Sequence, residues 1–298
     1  MLSVLIPVYL YPADFLVRDL HEQCRLAGIQ FEILVGDDSA DSYPKTNLDR
    51  VADLEQVRIF RHPLPLGRSA NRNFLARQSQ FPWLLFIDGD AGVAAVDFIE
   101  QYIQLQQKGA EVVCGGMLYR MTPPENSEKR LRWHYGLKRE MIPSHQRKQN
   151  PWRSFSSFNF MIRRDTFLSI GFDEKISGYG HEDTLFGLTL KSKKIWILHA
   201  DNGIYHEGLE ENDLFLKKTS EAVVSLVSLY RSQKIPQDMV REIALLNRGL
   251  MISRMHLKRC VLGFLNPLIP WFEKKLQRGS SCILLLDLYK LRQLLSIL

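Results

Sequence analysis

The run Leu84-Leu85-Phe86-Ile87-Asp88-Gly89-Asp90 constrains this chain more than any other stretch. Four large apolar residues lead into two carboxylates separated by one glycine. A short continuous apolar run reads as a strand buried on both faces. The acids then stand where that strand leaves its sheet, and open α/β sheets bind ligands at such ends. Close carboxylates repel unless a cation joins them, so the chemistry points to a hard divalent ion carrying phosphates.

Upstream, the same grammar repeats. Residues 3–8 form a β-rich run, and 15–27 carry Phe15, Leu16, Leu20 and Cys24 at helical spacing before Gly28. Residues 31–36 are a second strand, which runs into Asp37-Asp38-Ser39-Ala40-Asp41-Ser42. A short strand at 57–60 precedes a helix over 67–78 that carries Asn71, Arg72 and Asn73 near its start. Strands alternating with helices predict a parallel sheet. In such a sheet both acid pairs emerge on one edge. Asp-rich strand ends are also plain turn formers and helix caps. Two pairs on one edge, with Arg72 between them in sequence, favour a nucleotide-diphosphate site: aspartates accept from base N–H groups or ribose hydroxyls, and arginine pairs with anionic oxygens. No P-loop and no GxGxxG pattern offers another phosphate cradle.

Further along, strands are expected at 110–116, 156–162 and 195–198. Residues 122–153 form a basic, proline-containing excursion with a helix near 126–141; it reads as a substrate-facing loop or as a solvated surface loop. The stretch Gly171-Phe172-Asp173-Glu174 is a tight turn, and Gly178-Tyr179-Gly180-His181-Glu182-Asp183 opens another helix. Acids in a first helical turn suit the helix dipole by themselves, while the preceding glycines let a ligand approach the carboxylates closely.

These blocks, in this order, resemble the family-2 glycosyltransferases of the GT-A fold. The resemblance rests on Ser3–Tyr9, Ile33–Ser39, Asn71-Arg72-Asn73, Phe86–Asp90, and the Gly-Phe-Asp-Glu and Gly-x-Gly-x-Glu-Asp blocks, about two-thirds of the chain. Leu10 stands where the family often has Asn, and Ala91 where a further acid is common. The resemblance implies an α/β GT-A Rossmann-like fold: a mixed, mostly parallel sheet flanked by helices, with a C-terminal helical extension. It implies a catalytic domain over 1–210, divided into a nucleotide half (1–116) and an acceptor half (117–210), followed by a helical region over 211–298. It further implies an inverting transfer of a sugar from a nucleotide-diphospho sugar, UDP-linked by family habit, to a glycan or lipid-linked saccharide. Pro7, Val8, Asp37, Asp38, Arg72 and Asp88 would bind the nucleotide. Asp90 and His206 would hold Mn2+ or Mg2+, Gly180 and Glu182 the acceptor, and Asp183 would be the general base.

The DGD run alone also fits a haloacid-dehalogenase-like phosphatase with Asp88 as nucleophile. A non-catalytic nucleotide- or glycan-binding protein on the same fold is a third reading.

Composition adds a location for the excess charge. Net charge is +6, and residues 255–298 hold seven cations against two acids. That tail reads as a surface for an anionic membrane through 255–298, or as helices packed on the catalytic domain or a second subunit. Nucleic acid is not an expected partner. The four scattered cysteines suggest neither zinc nor a disulfide framework. The first residues read as a strand rather than a signal peptide, and no apolar run is long enough to span a bilayer. The expected location is cytoplasmic, with a peripheral place on the cytoplasmic membrane as the tail's alternative.

Overall fold

A computed structural model describes residues 1–40, 46–176 and 179–298. Asp41, Ser42 and Gly178, all parts of sequence motifs, lie outside the described residues. The chain begins β1 (Leu2–Val8), α1 (Asp14–Leu26), β2 (Phe31–Asp37), β3 (Val57–Arg61), α2 (Arg68–Gln78), β4 (Trp83–Ile87). It continues through β5 (Ala91–Gly92), α3 (Phe98–Gln106), β6 (Val112–Cys114), β7 (Met117–Leu118), α4 (Arg130–Tyr135), α5 (Ser144–Arg147), β8 (Asn159–Arg163) and α6 (Arg164–Ile170). Then come α7 (Glu182–Ser192), β9 (Ile197–His199), β10 (Ile204–His206) and the C-terminal helices α8 (Asn212–Arg231), α9 (Ala244–Arg254), α10 (Lys258–Leu265), α11 (Ile269–Gln277) and α12 (Ile283–Ile297).

The described residues fall into two compact units. The first comprises Met1–Tyr119, Met141–Glu174 and Phe186–Gly208; the second comprises Arg120–Glu140, Lys175–Leu185 and Leu209–Leu298.

In the first unit a seven-stranded sheet runs β3-β2-β1-β4-β8-β6-β9. β8 is antiparallel to both β4 and β6, and the other pairings are parallel. The sheet is therefore mixed and mostly parallel. Both faces are covered, which explains the continuous apolar strands. Val4, Ile6, Ile33, Val35, Leu85 and Ile87 face one core with α1 and α3, while Leu5, Leu34, Leu84 and Phe86 face the other with α2 and α6. The second core is aromatic: Phe86 stacks on Phe160 at 4.7 Å, and Phe172 stacks on Phe186 at 4.5 Å.

Part of the basic excursion belongs inside this unit. Arg147 is buried, and its guanidinium donates to the carbonyls of Cys114, Gly115, Ile142 and Ala200. It also donates to His199 Nδ1, while His199 Nε2 donates to Pro151 O at 2.9 Å. Arg147 is thus an internal tie between the ends of β6 and β9 rather than a substrate-facing cation.

The second unit has its own core of Leu131, Phe215, Leu216, Leu265, Ile269, Phe272, Leu276, Leu286 and Tyr289. Asn212 knots it: its Oδ1 accepts from Leu131 N at 2.9 Å and its Nδ2 donates to Gln277 O at 2.8 Å. Within the helical region expected over 211–298, the stretch 236–265 is not one helix but a 3-10 segment (Gln237–Glu242), α9 and α10. Extended backbone at Ile243 and a left-handed His256 (φ 58°) interrupt the helical run.

Burial pushes the His199 imidazole down to about 4; the Arg147 and Lys148 charges act in the same direction, and the bond to Pro151 O opposes them. The unfolded chain takes up this proton near the ordinary value of 6.5, so the unfolded state holds more protons between about 6.5 and 4. This residue therefore lowers stability as pH falls through that window, with a slope of about 1.4 kcal/mol per pH unit. An NMR titration of the native His199 ring is expected to show a midpoint near 4. An ordinary midpoint would contradict the buried neutral tautomer.

Candidate active site

β1 lies between β2 and β4 in parallel register, so its C-terminal end meets both acidic turns. Val8 O accepts from Asp38 N at 2.9 Å, and Pro7 O accepts from Gly89 N at 3.1 Å. The middle residue of the DGD run is glycine for a steric reason. A Cβ there would stand 2.8 Å from Val8 Cγ2 and 3.0 Å from Pro7 O. Pro7 and Val8 thus contribute backbone that fixes the acids.

The two acids after β2 have different surroundings. Asp37 accepts from Ser39 N at 3.1 Å and from Thr46 Oγ1 at 3.2 Å, closing its own turn. Asp38 accepts from Leu66 N at 2.6 Å and Gly67 N at 2.8 Å, which holds the loop entering α2. Each carboxylate oxygen keeps further acceptor capacity.

The triplet on α2 connects three elements. Asn71 Nδ2 donates to Gly36 O in β2 at 2.8 Å. Arg72 Nη2 pairs with Asp88 Oδ1 at 2.5 Å. Asn73 clamps the backbone of Phe172, donating to its carbonyl at 2.9 Å and accepting from its N–H at 2.8 Å. The Arg72 side chain is 3% exposed, and its guanidinium lies 5.5 Å from the centroid of the Phe172 ring. The Gly-Phe-Asp-Glu turn thus supports the arginine from below. Removal from water pushes the Asp88 carboxyl above its ordinary range; Arg72 pulls it back and Asp90 pushes it further up. Asp88, held by an arginine at 2.5 Å, is poorly suited to act as a nucleophile.

Asp90 is reached from a second, three-stranded sheet ordered β5-β10-β7. His206 pairs with Ala91 across antiparallel strands, and Glu207 N donates to Asp90 O at 3.0 Å. This register brings His206 Nε2 to 3.3 Å from Asp90 Oδ2. The imidazole is seated between the rings of Phe158 and Tyr119, with centroids at 5.2 and 5.5 Å. Its Nδ1 is buried and has no hydrogen-bond partner among the described residues, so ring packing sets its orientation. Ala91 is buried in this small sheet, which explains why no third acid follows the DGD run. Gly208 closes on Asp90: a Cβ there would lie 2.7 Å from Asp90 Cβ.

Two neighbours lie outside the motifs. The Tyr11 phenol is pushed up by burial, and the charges of Asp90 and Glu207 act in the same direction. Glu207 abuts Gly92, where a Cβ would meet Glu207 Oε1 at 3.1 Å. Glu207 follows His206 directly, and Tyr11 stands two positions after Tyr9; nothing else in the sequence hints at either.

Two ligands of one six-coordinate ion at ~2.1 Å stand about 3 Å apart. The Asp90–His206 separation fits that spacing, and a carboxylate with an imidazole suits Mn2+. Among the described residues no group of three or more His, Cys, Asp or Glu forms a complete cage. An ion here would complete its shell with phosphate and water oxygens.

The remaining candidates lie in the second unit. Gly180 (φ 88°) and His181 (φ 71°) are both left-handed, and Glu182 and Asp183 form the first turn of α7. A Cβ on Gly180 would stand 3.1 Å from Ala222 Cβ. Burial pushes His181 down, opposed by Glu182 and by a bond to the backbone at Ala222, with Lys290 adding to the depression.

Residues 3–171 match the family model for glycosyl transferase family 2, more than half of the chain. The chain belongs to glycosyl transferase family 2. The mixed sheet is the GT-A fold, and solved glycosyltransferases share it. The crystal structure of S. aureus TarS 1–349 has 15% identity and a TM-score of 0.54, covering 98% of this chain and 89% of that one. The same TarS fragment in complex with UDP-GlcNAc gives 15% identity and a TM-score of 0.52, with coverage of 98% and 89%. The mannosyltransferase PcManGT of Pyrobaculum calidifontis, in complex with GDP-Man and Mn2+, has 12% identity and a TM-score of 0.54, covering 98% and 86%. No curated protein matches the chain. Family membership sets the phosphatase reading of Asp88 aside.

Gly89→Ala is expected to destabilise the protein by about 1–3 kcal/mol, because the new methyl group has no space against β1. Gly263→Ala is the control, since nothing lies within 4 Å of its Cβ position. Thermal melts compare the two; equal melting temperatures would contradict the crowding.

Proposed function

We propose that this family-2 member is an inverting hexosyltransferase that uses a nucleotide-diphospho sugar, with uridine diphosphate as the carrier. The acceptor is a hydroxyl of a glycan or lipid-linked saccharide. The observation that carries this reading is the convergence of Asp38, Arg72–Asp88 and Asp90–His206 around the end of β1. Asp37 and Asp38, with the Pro7–Val8 backbone, hold the base end of the nucleotide. Asp88, oriented by Arg72, receives the ribose. TarS in complex with UDP-GlcNAc supports the choice of carrier, and PcManGT with GDP-Man supports the broader nucleotide-sugar class.

Asp90 and His206 hold a divalent ion, Mn2+ or Mg2+. When bound, that ion neutralises charge developing on the diphosphate leaving group. Asp183 takes the proton from the acceptor hydroxyl as its oxygen attacks the anomeric carbon. The bond from that carbon to the diphosphate oxygen breaks, and the sugar inverts. Glu182 and the Gly180 backbone orient the acceptor. Residues 1–210 form the catalytic part of this reading, and 211–298 form its helical appendage.

A screen of nucleotide sugars with manganese, read by release of free nucleotide, identifies the donor. Binding without turnover on every donor–acceptor pair would favour a non-catalytic protein. Asp183→Asn should lower kcat by about 10²-fold or more and leave donor affinity unchanged; retained turnover would remove Asp183 from the role of base. Asp90→Ala and His206→Ala should each weaken Mn2+-dependent UDP binding by about tenfold or more in calorimetry. An unaltered manganese dependence would exclude them as ligands.

A further inference from the structure

The α10–α11 segment of the second unit carries two distinct stripes. Leu265, Ile269, Phe272 and Leu276 recur at spacings of four, three and four, and all are buried in the unit's core. That rhythm persists through the 3-10 turn Asn266–Leu268, so the segment keeps a helical phase throughout. To one side of that stripe stand Phe264, 71% exposed, and Trp271, 51% exposed, two helical turns apart. Met251, Met255 and Leu257, in the turns that precede the segment, are also exposed. The same stretch is cationic: Arg254, Lys258, Arg259, Lys274, Lys275 and Arg278 stand in residues 251–278 against Glu273 alone. Lys275 Nζ lies 6.0 Å from the Trp271 ring centroid, so aromatic and cation share one face.

We propose that this face docks on the surface of a bilayer containing anionic lipids, with Phe264 and Trp271 entering the headgroup–acyl boundary. Exposed aromatics and methionines favour an apolar medium, and the excess of cations fits an anionic headgroup layer. Trp is at home at that depth because its ring is apolar and its N–H is polar. No helix among the described residues is long and apolar enough to cross a membrane, so the segment lies on the surface. The docking is independent of the transferase reading and is tested without turnover.

The full chain is sedimented with vesicles of phosphatidylcholine alone and with vesicles that also contain phosphatidylglycerol. Binding is expected only to the anionic vesicles and is expected to weaken with salt. Phe264→Ser combined with Trp271→Ser should lower partitioning by about tenfold or more. Lys274→Gln combined with Lys275→Gln should lower it by about 25-fold, roughly fivefold per cation. These positions are exposed, so melting temperatures should stay at the parental value. Bromine-labelled acyl chains should quench the fluorescence of the parent, and Trp271→Phe should lose most of that quenching. Equal partitioning of parent and both double variants would overturn the proposal. So would sedimentation velocity showing that Phe264 and Trp271 hold two copies together while vesicle binding is unchanged, or mobility shifts showing salt-sensitive capture of RNA with no vesicle binding.

Discussion

The two carbonyls at the end of β1 are the constraint on which the site's geometry depends. Val8 O holds the turn after β2, and Pro7 O holds the turn after β4. A parallel sheet brings strand ends to one edge, but it does not set the spacing of the loops that leave them. These two hydrogen bonds do, and they tie both acid pairs to β1, an interior strand of the sheet. The packing of Gly89 against Val8 makes the arrangement stiff.

A second layer of order comes from beneath. The Phe86–Phe160–Phe172–Phe186 cluster fills one face of the sheet, and Asn73 fixes the backbone of Phe172 to α2. The guanidinium of Arg72 therefore rests over an aromatic ring while reaching Asp88. Its position is set by contacts within the protein, which lowers the ordering cost of pairing it with an anion.

Much of the first unit was legible in the sequence because buried parallel strands and amphipathic helices carry distinct periods. The DGD run, the Asp37-Asp38 turn and the Asn71-Arg72-Asn73 helix all lie where the pattern implied. The antiparallel direction of β8 was not legible, because an apolar run does not encode direction. Nor was the inward turn of Arg147, a cation in a basic, proline-containing stretch that looks solvated. Its partners are backbone carbonyls, which have no sequence signature. Glu207 was not legible either, because its backbone meets Asp90 only when β5 pairs with β10. Leu10 is a departure the structure accounts for in part: its φ is 51°, a left-handed conformation that Asn adopts more readily than Leu.

The pairing of β5 with β10 has a consequence for how this chain can vary. Side chains alternate across a strand, so a one-residue slip of β10 would turn His206 away from Asp90 and present Tyr205 or Glu207 instead. The short connection from β9 to β10 sets that register, and both its ends are fastened: Ala200 O accepts from Arg147, and Asn202 Nδ2 donates to Phe98 O. A single inserted or deleted residue between 200 and 204 would therefore be felt at Asp90, although it lies more than a hundred positions away in the chain. Its composition is held as well, since the Asn202 side chain is bonded and a Cβ on Gly203 would stand 2.6 Å from Leu118 Cγ.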